Sequence, residues 1–156
     1  MKNTISVLNE LLVSTFNDIL SIEQKALQSG VFKDLSVTEI HTIEAVGLDD
    51  SKTMSEIAGI LGITVGTLTI AINHLVKKEY VERSKSAEDK RVVRISLTRK
   101  GIFAYKVHEK FHSDMVRAII EELTQEEEQV LIKSLDKLNR YFKEKNSKLT
   151  IKQQGE

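Results

Sequence analysis

The sequence predicts a mainly α-helical fold that carries one β-hairpin, and three observations support this class. The 156 residues contain no proline and seven glycines, so few residues end or interrupt a helix. Apolar residues recur at helical spacing in most segments. The exception is the segment from Tyr80 to Leu97, where β-branched residues lie on both sides of a polar, charged stretch.

The first two helices are predicted from apolar spacing and from a capping motif. Apolar residues recur every three or four positions from about Ile5 to Leu27, and a break follows at residues 28–30. Ser36 stands three residues before Glu39, which is the spacing of a capping box. We expect a second helix to begin there and to end near Gly47.

Two short helices joined by a tight turn are predicted next. Residues 48–52 are polar except for Leu48 and are expected to form a loop. The segment Thr53–Glu56 is a second capping box, and the helix that it begins ends at Gly62. Thr64 caps the following helix, which extends to about Lys78. This pair is a helix-turn-helix, although a plain helical hairpin gives the same pattern.

A hairpin and two long helices complete the predicted fold. Strands are expected at Tyr80–Arg83 and Val92–Leu97 around a charged tip, and Thr98 caps a helix to about Leu123. The segment Thr124–Glu127 is another capping box and begins the last helix. The predicted fold class is therefore a winged helix-turn-helix with a two-stranded β-wing and long N- and C-terminal dimerisation helices. The expected regions are a helical dimerisation region at 1–30 and 102–145, a DNA-binding domain at 31–101 and a flexible tail at 146–156.

The charge distribution points to a polyanion as partner. The net charge is +0, but the nine basic and four acidic residues from Lys77 to Lys100 give that segment +5 and leave −5 elsewhere. Such a basic block fits a surface that faces nucleic acid, although a solvated charged face produces the same pattern.

The helix after Thr64 and the hairpin tip supply chemistry suited to DNA. A helix fits the major groove, where threonine and asparagine bind base edges or phosphates and Val65 and Ile70 can contact thymine methyl groups. Arg91 can enter a narrow minor groove, with Asp89 close enough to orient it. The predicted DNA-binding residues are Thr64, Val65, Gly66, Thr67, Thr69, Ile70, Asn73, His74, Lys77, Arg83, Lys85, Asp89, Arg91 and Arg94.

The segments Ser86–Arg91 and Leu97–Gly101 resemble the wing signature of MarR-type repressors, an Asp-x-Arg motif followed by Leu-Thr-x-x-Gly. Leu75–Lys78 before the wing also matches that family. The resemblance implies a homodimeric DNA-binding repressor and covers nearly the whole chain. Glu79 departs from the usual glycine, and Ile70 stands where many members have arginine. The second departure favours an A·T-rich palindromic operator over a guanine contact.

Four further segments resemble the members of that family that repress fatty acid synthesis. They are Phe32–Ser36, Glu39–Ile43, Thr64–Thr67 and His108–His112. This resemblance implies a long-chain acyl-acyl carrier protein as corepressor.

Histidine spacing offers zinc as an alternative effector. His108 and His112 lie four residues apart, a helical spacing that can chelate Zn²⁺, and His41 and Glu23 are candidates to complete the site. Zinc-sensing members of the same family use histidines in similar places. The same residues could also pack and hydrogen-bond in the interior, and we predict no resident metal or other cofactor.

The long helices carry more apolar surface than one winged domain can cover, and the family buries such faces in a dimer. The predicted interface residues, some of which could instead belong to the monomer core, are Leu8, Leu12, Ile119, Leu131, Leu135, Leu138 and Phe142. The predicted effector pocket, whose members could each be plain core, consists of Phe16, Ile19, Leu20, Ile40, His41, Ile43, Phe103, His108, Phe111 and Met115.

Several other classes are disfavoured. The absence of cysteine excludes disulfide scaffolds, thiol nucleophiles and cysteine-based metal centres. No nucleophile motif is present, so we expect no enzyme. No apolar run of the ~20 residues of a membrane span and no signal-peptide pattern was found, so we expect a cytoplasmic protein that does not bind membranes. A module whose basic wing binds acidic acyl carrier protein alone remains a third possibility.

Overall fold

The computed structural model describes residues 3–153, and the side chains of residues 3–147. Six helices and three strands follow one another along the chain. In order they are α1 (Thr4–Ser29), α2 (Val37–Val46), β1 (Lys52–Thr53), α3 (Met54–Leu61), α4 (Val65–Lys77), β2 (Val81–Lys85), β3 (Val93–Leu97), α5 (Arg99–Glu121) and α6 (Gln125–Gln153). The predicted mainly α class and each of the predicted helices are confirmed.

The helix ends form where the capping residues predict them. The side chains of Ser36, Thr53 and Thr124 each accept a hydrogen bond from the backbone N–H three residues later. The glutamate carboxylate at that position accepts the backbone N–H of the cap residue in turn. Gly62 ends α3 in the left-handed region at φ +66°. Because glycine adopts this conformation without a Cβ clash, the chain can turn sharply into α4.

The sheet contains one strand more than the sequence predicted. Its order is β1-β3-β2 with antiparallel pairing, and Arg83 lies opposite Ile95 in the wing. The additional strand β1 is short and pairs Lys52 with Ile95. The sequence assigned Lys52 to a loop, but the cap residue Thr53 is extended, so the two residues before α3 can pair with β3.

Contacts divide the chain into two compact units, with the boundary between Glu109 and Lys110 inside α5. The core of the first unit contains side chains from the helices α2 to α4 and from the sheet. Its most completely buried apolar residues are Ile40, Ile43, Ile57, Leu68, Ile72, Leu75, Tyr80 and Ile95. The second unit consists of the end of α5 and α6. The helix α6 continues past Asn146, where a flexible tail was expected, because no proline or glycine ends it before residue 153. Residues 154–156 of that predicted tail lie outside the described residues.

The end of α4 is joined to the start of α5 through Tyr80. Thr98 donates its backbone N–H to the carbonyl oxygen of Tyr80 at 3.1 Å and accepts a hydrogen bond from the N–H of Gly101. A Cβ on Gly101 would lie 2.0 Å from the Tyr80 carbonyl oxygen, so only glycine allows this approach. This contact gives a physical reason for the glycine of the Leu-Thr-x-x-Gly motif.

A buried hydrogen-bonded cluster connects α1, α2 and α5 within the first unit. His108 is 4% exposed, and its Nε2 lies 2.5 Å from Glu23 Oε1 and its Nδ1 lies 2.7 Å from Glu44 Oε1. Glu23, which is 2% exposed, also accepts a hydrogen bond from His41 Nε2 at 2.8 Å. Because ionised carboxylates only accept hydrogen bonds, this geometry favours the imidazolium form of His108, in which both ring nitrogens donate.

The charges of this cluster shift its pKa values in opposite directions. Burial by itself lowers the pKa of His108, but the hydrogen bonds and negative charges of Glu44 and Glu23 outweigh burial and raise it above the ordinary 6.5. Burial by itself raises the pKa of Glu23, but the hydrogen bonds and charges of His41 and His108 outweigh burial and lower it below the ordinary 4.5. The cluster therefore favours the ion pair between pH 4.5 and 6.5.

Helix α1 has the length and composition of a membrane-spanning helix, with a mean hydropathy of 1.3 over 18 residues. The bent pair of α3 and α4 meets the same criteria only if it is counted as one span. No such apolar run was predicted from the sequence. One helix of this kind near an N-terminus is weak evidence for a membrane protein, since signal sequences and core helices pass the same test.

Substituting Glu79 by glycine should stabilise the protein. Among the described residues, Glu79 is the only non-glycine residue with positive φ, at +65°, in the turn that ends α4. Glu79→Gly should raise the free energy of unfolding by about 0.5–1 kcal/mol, because glycine has no Cβ strain in this region. Urea denaturation measures the change. Glu79→Ala is the matched control, and an equal gain from both variants would contradict the argument.

The buried cluster should make stability depend on pH. The stabilisation from His108 is complete below pH 6.5 and is lost as the pH rises through the raised pKa of the folded state. The stabilisation from Glu23 is present above pH 4.5 and is lost as the pH falls through its lowered pKa. His108→Gln should therefore flatten the fall in unfolding free energy above pH 6.5, measured by urea denaturation at several pH values. The control is His74→Gln, which removes a histidine outside the cluster whose ring lies 3.7 Å from the carboxylate of Glu39. A flattening of the same size in that variant would show that the effect is not specific to His108.

Candidate DNA-binding site

The helix-turn-helix places α4 across α3 with its N-terminus and one face exposed. The two helices meet at 106° around the turn formed by Gly62 and Ile63. Thr64 caps α4 by accepting the N–H of Thr67 at 3.2 Å, and the hydroxyls of the two threonines lie 3.0 Å apart. A right-angled pair of this kind allows the second helix to enter a groove while the first crosses above it.

The predicted DNA-contacting residues of α4 lie mainly on its exposed face. Ile70 is 61% exposed, so its side chain is available for contact with a partner. Thr69 is half-buried, and its hydroxyl donates a hydrogen bond to the carbonyl of Val65 at 2.8 Å. The remaining predicted positions are all exposed, namely Thr64, Val65, Gly66, Thr67, Asn73, His74 and Lys77.

The wing carries a preoriented arginine at its tip. The side chain of Arg91 is 91% exposed, and its Nε lies 3.2 Å from Asp89 Oδ1. Asp89 also accepts the backbone N–H of Arg91 at 2.9 Å. These two bonds, the backbone bond first, hold the pKa of Asp89 below its ordinary value. Asp89 therefore limits the orientations available to the Arg91 guanidinium.

The other wing cations have different environments. Lys85 is exposed at the end of β2. Arg83 donates from its guanidinium to Asn73 Oδ1 on α4 at 2.5 Å. Arg94 is half-buried. Its Nε donates to Ser51 Oγ at 2.9 Å, and its Nη2 donates to the Ser51 carbonyl. Its guanidinium is thus engaged in holding β3 to the segment before β1, which makes it the least available of the predicted DNA contacts.

An ion-pair network that the sequence analysis missed fixes the C-terminal end of α4. Lys78 Nζ donates to both carboxylate oxygens of the buried Glu39, at 2.8 and 2.9 Å, and to the carbonyl of Asp34. Tyr80 donates its hydroxyl hydrogen to Asp34 Oδ1 at 2.8 Å, and Lys100 Nζ lies 4.2 Å from the centre of the Tyr80 ring. These residues are distant in sequence, so no local spacing pattern could reveal the network.

The predicted effector-pocket residues have mixed environments. Ile40 and Ile43 are completely buried in the core of the first unit, as expected for structural residues. His41 and His108 belong to the buried cluster described above. The remaining residues are half-buried or exposed, namely Phe16, Ile19, Leu20, Phe103, Phe111 and Met115.

Three of the four predicted zinc ligands lie together in the first unit. Glu23, His41 and His108 each offer one ligand atom, and these atoms lie within 4.8 Å of one another. Oxygen and imidazole nitrogen donors fit Zn²⁺, although a metal would have to displace the protons that the imidazoles carry in the hydrogen-bonded cluster. The fourth predicted ligand, His112, is half-buried in the second unit.

Residues 35–93, which contain the helix-turn-helix and most of the wing, match the MarR family model. A crystal structure of FabT from Streptococcus pneumoniae in complex with DNA is 39% identical, with a TM-score of 0.85. The similarity covers 88% of this chain and 96% of that chain.

Curated relatives carry the names of HTH-type transcriptional regulators. PchR of Bacillus subtilis is 27% identical over 66% of this chain and 63% of its own length. SarZ of Staphylococcus epidermidis is 31% identical over 65% of this chain and 67% of its own length. The matches span about half to two thirds of the first three curated relatives. These names agree with the prediction that the chain is a regulator and not an enzyme. The MarR family model matches the helix-turn-helix and most of the wing, and the similarity to FabT extends over nearly the whole of that chain. We conclude that this protein belongs to the MarR family.

Proposed function

We propose that the chain is a sequence-specific DNA-binding transcriptional repressor that acts in the cytoplasm as a homodimer. The observation that carries this proposal is the exposed face of α4 beside a wing whose tip arginine is oriented by Asp89. The +5 charge of residues 77–100 supports attraction to phosphates, and the FabT neighbour is in complex with DNA.

Exposed apolar surface supports the homodimer. Each of the predicted interface residues Leu8, Leu12, Ile119, Leu131, Leu135 and Phe142 is exposed, and Leu138 is half-buried. Exposed apolar side chains of this kind on long helices are typical of a surface covered by a partner subunit. A twofold dimer also matches a palindromic operator, because each half-site meets one copy of α4.

For the regulated process we propose fatty acid synthesis, with a long-chain acyl-acyl carrier protein as corepressor. The resemblance of four segments to repressors of that process supports this assignment, and so does the 39% identity to FabT. Burying an acyl chain gains ~0.8 kcal/mol per methylene, so several methylenes can supply the ~1–3 kcal/mol typical of allosteric coupling. The aromatic side chains of Phe16 and Phe103, both more than half exposed, provide apolar surface for such a chain.

Zinc regulation is the second candidate, and the grouping of Glu23, His41 and His108 favours it. Zinc binding at this cluster would replace protons on the imidazoles and would alter the contacts between α1, α2 and α5.

Removing the wing arginine should weaken operator binding without unfolding the protein. Arg91→Ala should reduce affinity for a palindromic A·T-rich duplex about 5- to 10-fold, or about 1–1.4 kcal/mol, in a gel-shift assay. Footprinting should show two half-sites about one helical turn apart. Lys90→Ala is the matched control, because it removes one neighbouring exposed charge, and its loss should be smaller. Binding of Arg91→Ala as tight as wild type at about 0.15 M salt would rule out this role for the wing.

The effector can be decided by measuring operator affinity with each candidate. A long-chain acyl-acyl carrier protein should change the affinity, whereas free carrier protein and Zn²⁺ should not. The variants His41→Gln and His108→Gln should keep most of the acyl response, because the energy of burying the acyl chain comes from the apolar residues of the predicted pocket. Circular dichroism confirms that each variant is folded. A wild-type protein that responds to nanomolar free zinc and ignores the acyl carrier protein, with the response lost in His41→Gln, would establish zinc instead. Loss of DNA binding to excess unacylated carrier protein would favour a carrier-protein binding module.

A further inference from the structure

The exposed face of α4 combines an apolar side chain with a hydrogen-bond donor one helical turn away. Ile70 and Asn73 are three residues apart, a spacing that places two side chains next to each other on a helix. Both are exposed. Any base edge that meets one of them therefore lies close to the other.

The wing restricts what Asn73 can do chemically. An asparagine side chain has one carbonyl oxygen that accepts and one NH₂ group that donates. The oxygen of Asn73 accepts a hydrogen bond from the guanidinium of Arg83 at 2.5 Å. This bond restrains the side-chain amide, and its NH₂ group, which Arg83 does not engage, can donate to a base.

The hydroxyl of the neighbouring Thr69 is also restrained by a hydrogen bond. The hydroxyl hydrogen of Thr69 is directed to the carbonyl of Val65, which fixes the orientation of that side chain along the helix. The hydroxyl hydrogen of Thr69 is therefore not available to a base, and the donor on this part of the face is the NH₂ group of Asn73.

Thymine is the base with the complementary pattern in the major groove. Its edge carries the O4 acceptor beside the C5-methyl group, whereas cytosine presents an N4 amino donor. The usual bidentate recognition of adenine by asparagine uses the side-chain oxygen as acceptor, and Arg83 already engages one of the two lone pairs of that oxygen and restrains the amide.

We propose that Ile70 and Asn73 read a thymine in each operator half-site, with Ile70 against the C5-methyl group and the Asn73 NH₂ group donating to O4. Arg83 is a positioning residue that acts through Asn73. This inference rests on the proposed DNA-binding function and names the base chemistry that the same site recognises.

The test uses the wild-type dimer and a palindromic duplex selected with it from a random DNA pool. Each thymine of a half-site is replaced singly by deoxyuridine, which removes the methyl group and keeps O4. One position should lose about fourfold in affinity, as expected for one buried methyl group. At that position 5-methylcytosine paired with guanine, which keeps the methyl group but replaces O4 with an amino donor, should lose about fivefold or more.

Ile70→Ala tests the methyl contact. This variant should bind the thymine and deoxyuridine duplexes equally at the sensitive position. Ile60→Ala is the matched control, because Ile60 is an equally exposed isoleucine on α3 and should keep the fourfold difference. A difference retained in Ile70→Ala, or lost equally in Ile60→Ala, would overturn the assignment of Ile70.

Arg83→Ala tests the positioning role. Its affinity for all duplexes should fall, because a cation is lost, and the discrimination against 5-methylcytosine should also fall, because Asn73 can rotate its oxygen outward. Lys85→Ala is the charge control and should lose affinity while the discrimination is unchanged. Unchanged discrimination in Arg83→Ala would show that the arginine acts only as a charge.

The outcomes separate this inference from the proposed function. If selection yields no specific duplex, the DNA-binding function itself is wrong. If the wild-type protein binds a selected duplex but tolerates deoxyuridine at every position, the function stands and thymine reading by Ile70 is wrong.

Discussion

Glu39 lies in the first turn of α2, and its carboxylate accepts hydrogen bonds from the N–H of Ser36 and from the ammonium of Lys78 at the end of α4. One buried acid therefore caps one helix and holds the end of another. These bonds lower the pKa of Glu39 although burial opposes them, so the group stays ionised. Removing one member of such a buried pair leaves an uncompensated charge, which costs far more than the pair contributes. The orientation of α4, and with it the surface offered to DNA, depends on this contact.

The wing is held to the same end of α4 by a close backbone approach. Tyr80 is completely buried, its hydroxyl is bonded to Asp34, and its carbonyl accepts the N–H of Thr98 where α5 begins. Gly101 permits this approach because a Cβ would collide with the Tyr80 carbonyl. The start of α5 is therefore locked to the residue that links α4 with the wing. The hydrogen bond from Arg83 to Asn73 adds a contact between the wing and α4 at the exposed surface. It restrains the amide of Asn73 and does not contribute to the core.

The first unit also contains a polar centre remote from α4. His108 and Glu23 are buried as an ion pair with His41 and Glu44 at its edges, and the cluster joins three helices. A charged cluster at this depth is costly to bury unless every hydrogen bond is made, so its geometry is specific. A change of protonation or a bound metal at this point would alter the packing of α1 against α2. Phe16, which belongs to the predicted effector pocket, also lies on α1.

Local sequence determined the elements, because the forces that define them act within one or two turns. The capping boxes at Ser36, Thr53 and Thr124 and the helix stop at Gly62 each depend on residues three or four positions apart, and each was predicted. The wing tip was predicted for the same reason, since Asp89 and Arg91 are two residues apart.

Only the tertiary structure decided the contacts between elements. The Lys78–Glu39 pair spans 39 residues and the His108–Glu23 pair spans 85, so no periodicity links their members. The strand β1 formed because β3 lies beside Lys52, which the local pattern assigns to a loop, and Thr53, which it assigns to a helix cap. Ile40 and Ile43 could line a pocket by their type, but packing placed them in a closed core. Arg94 could contact DNA by its place in the wing, but Ser51 engages its guanidinium. Residue type and spacing therefore determine which side chains a segment carries. The residues that pack against that segment determine which of those side chains remain available to bind a partner.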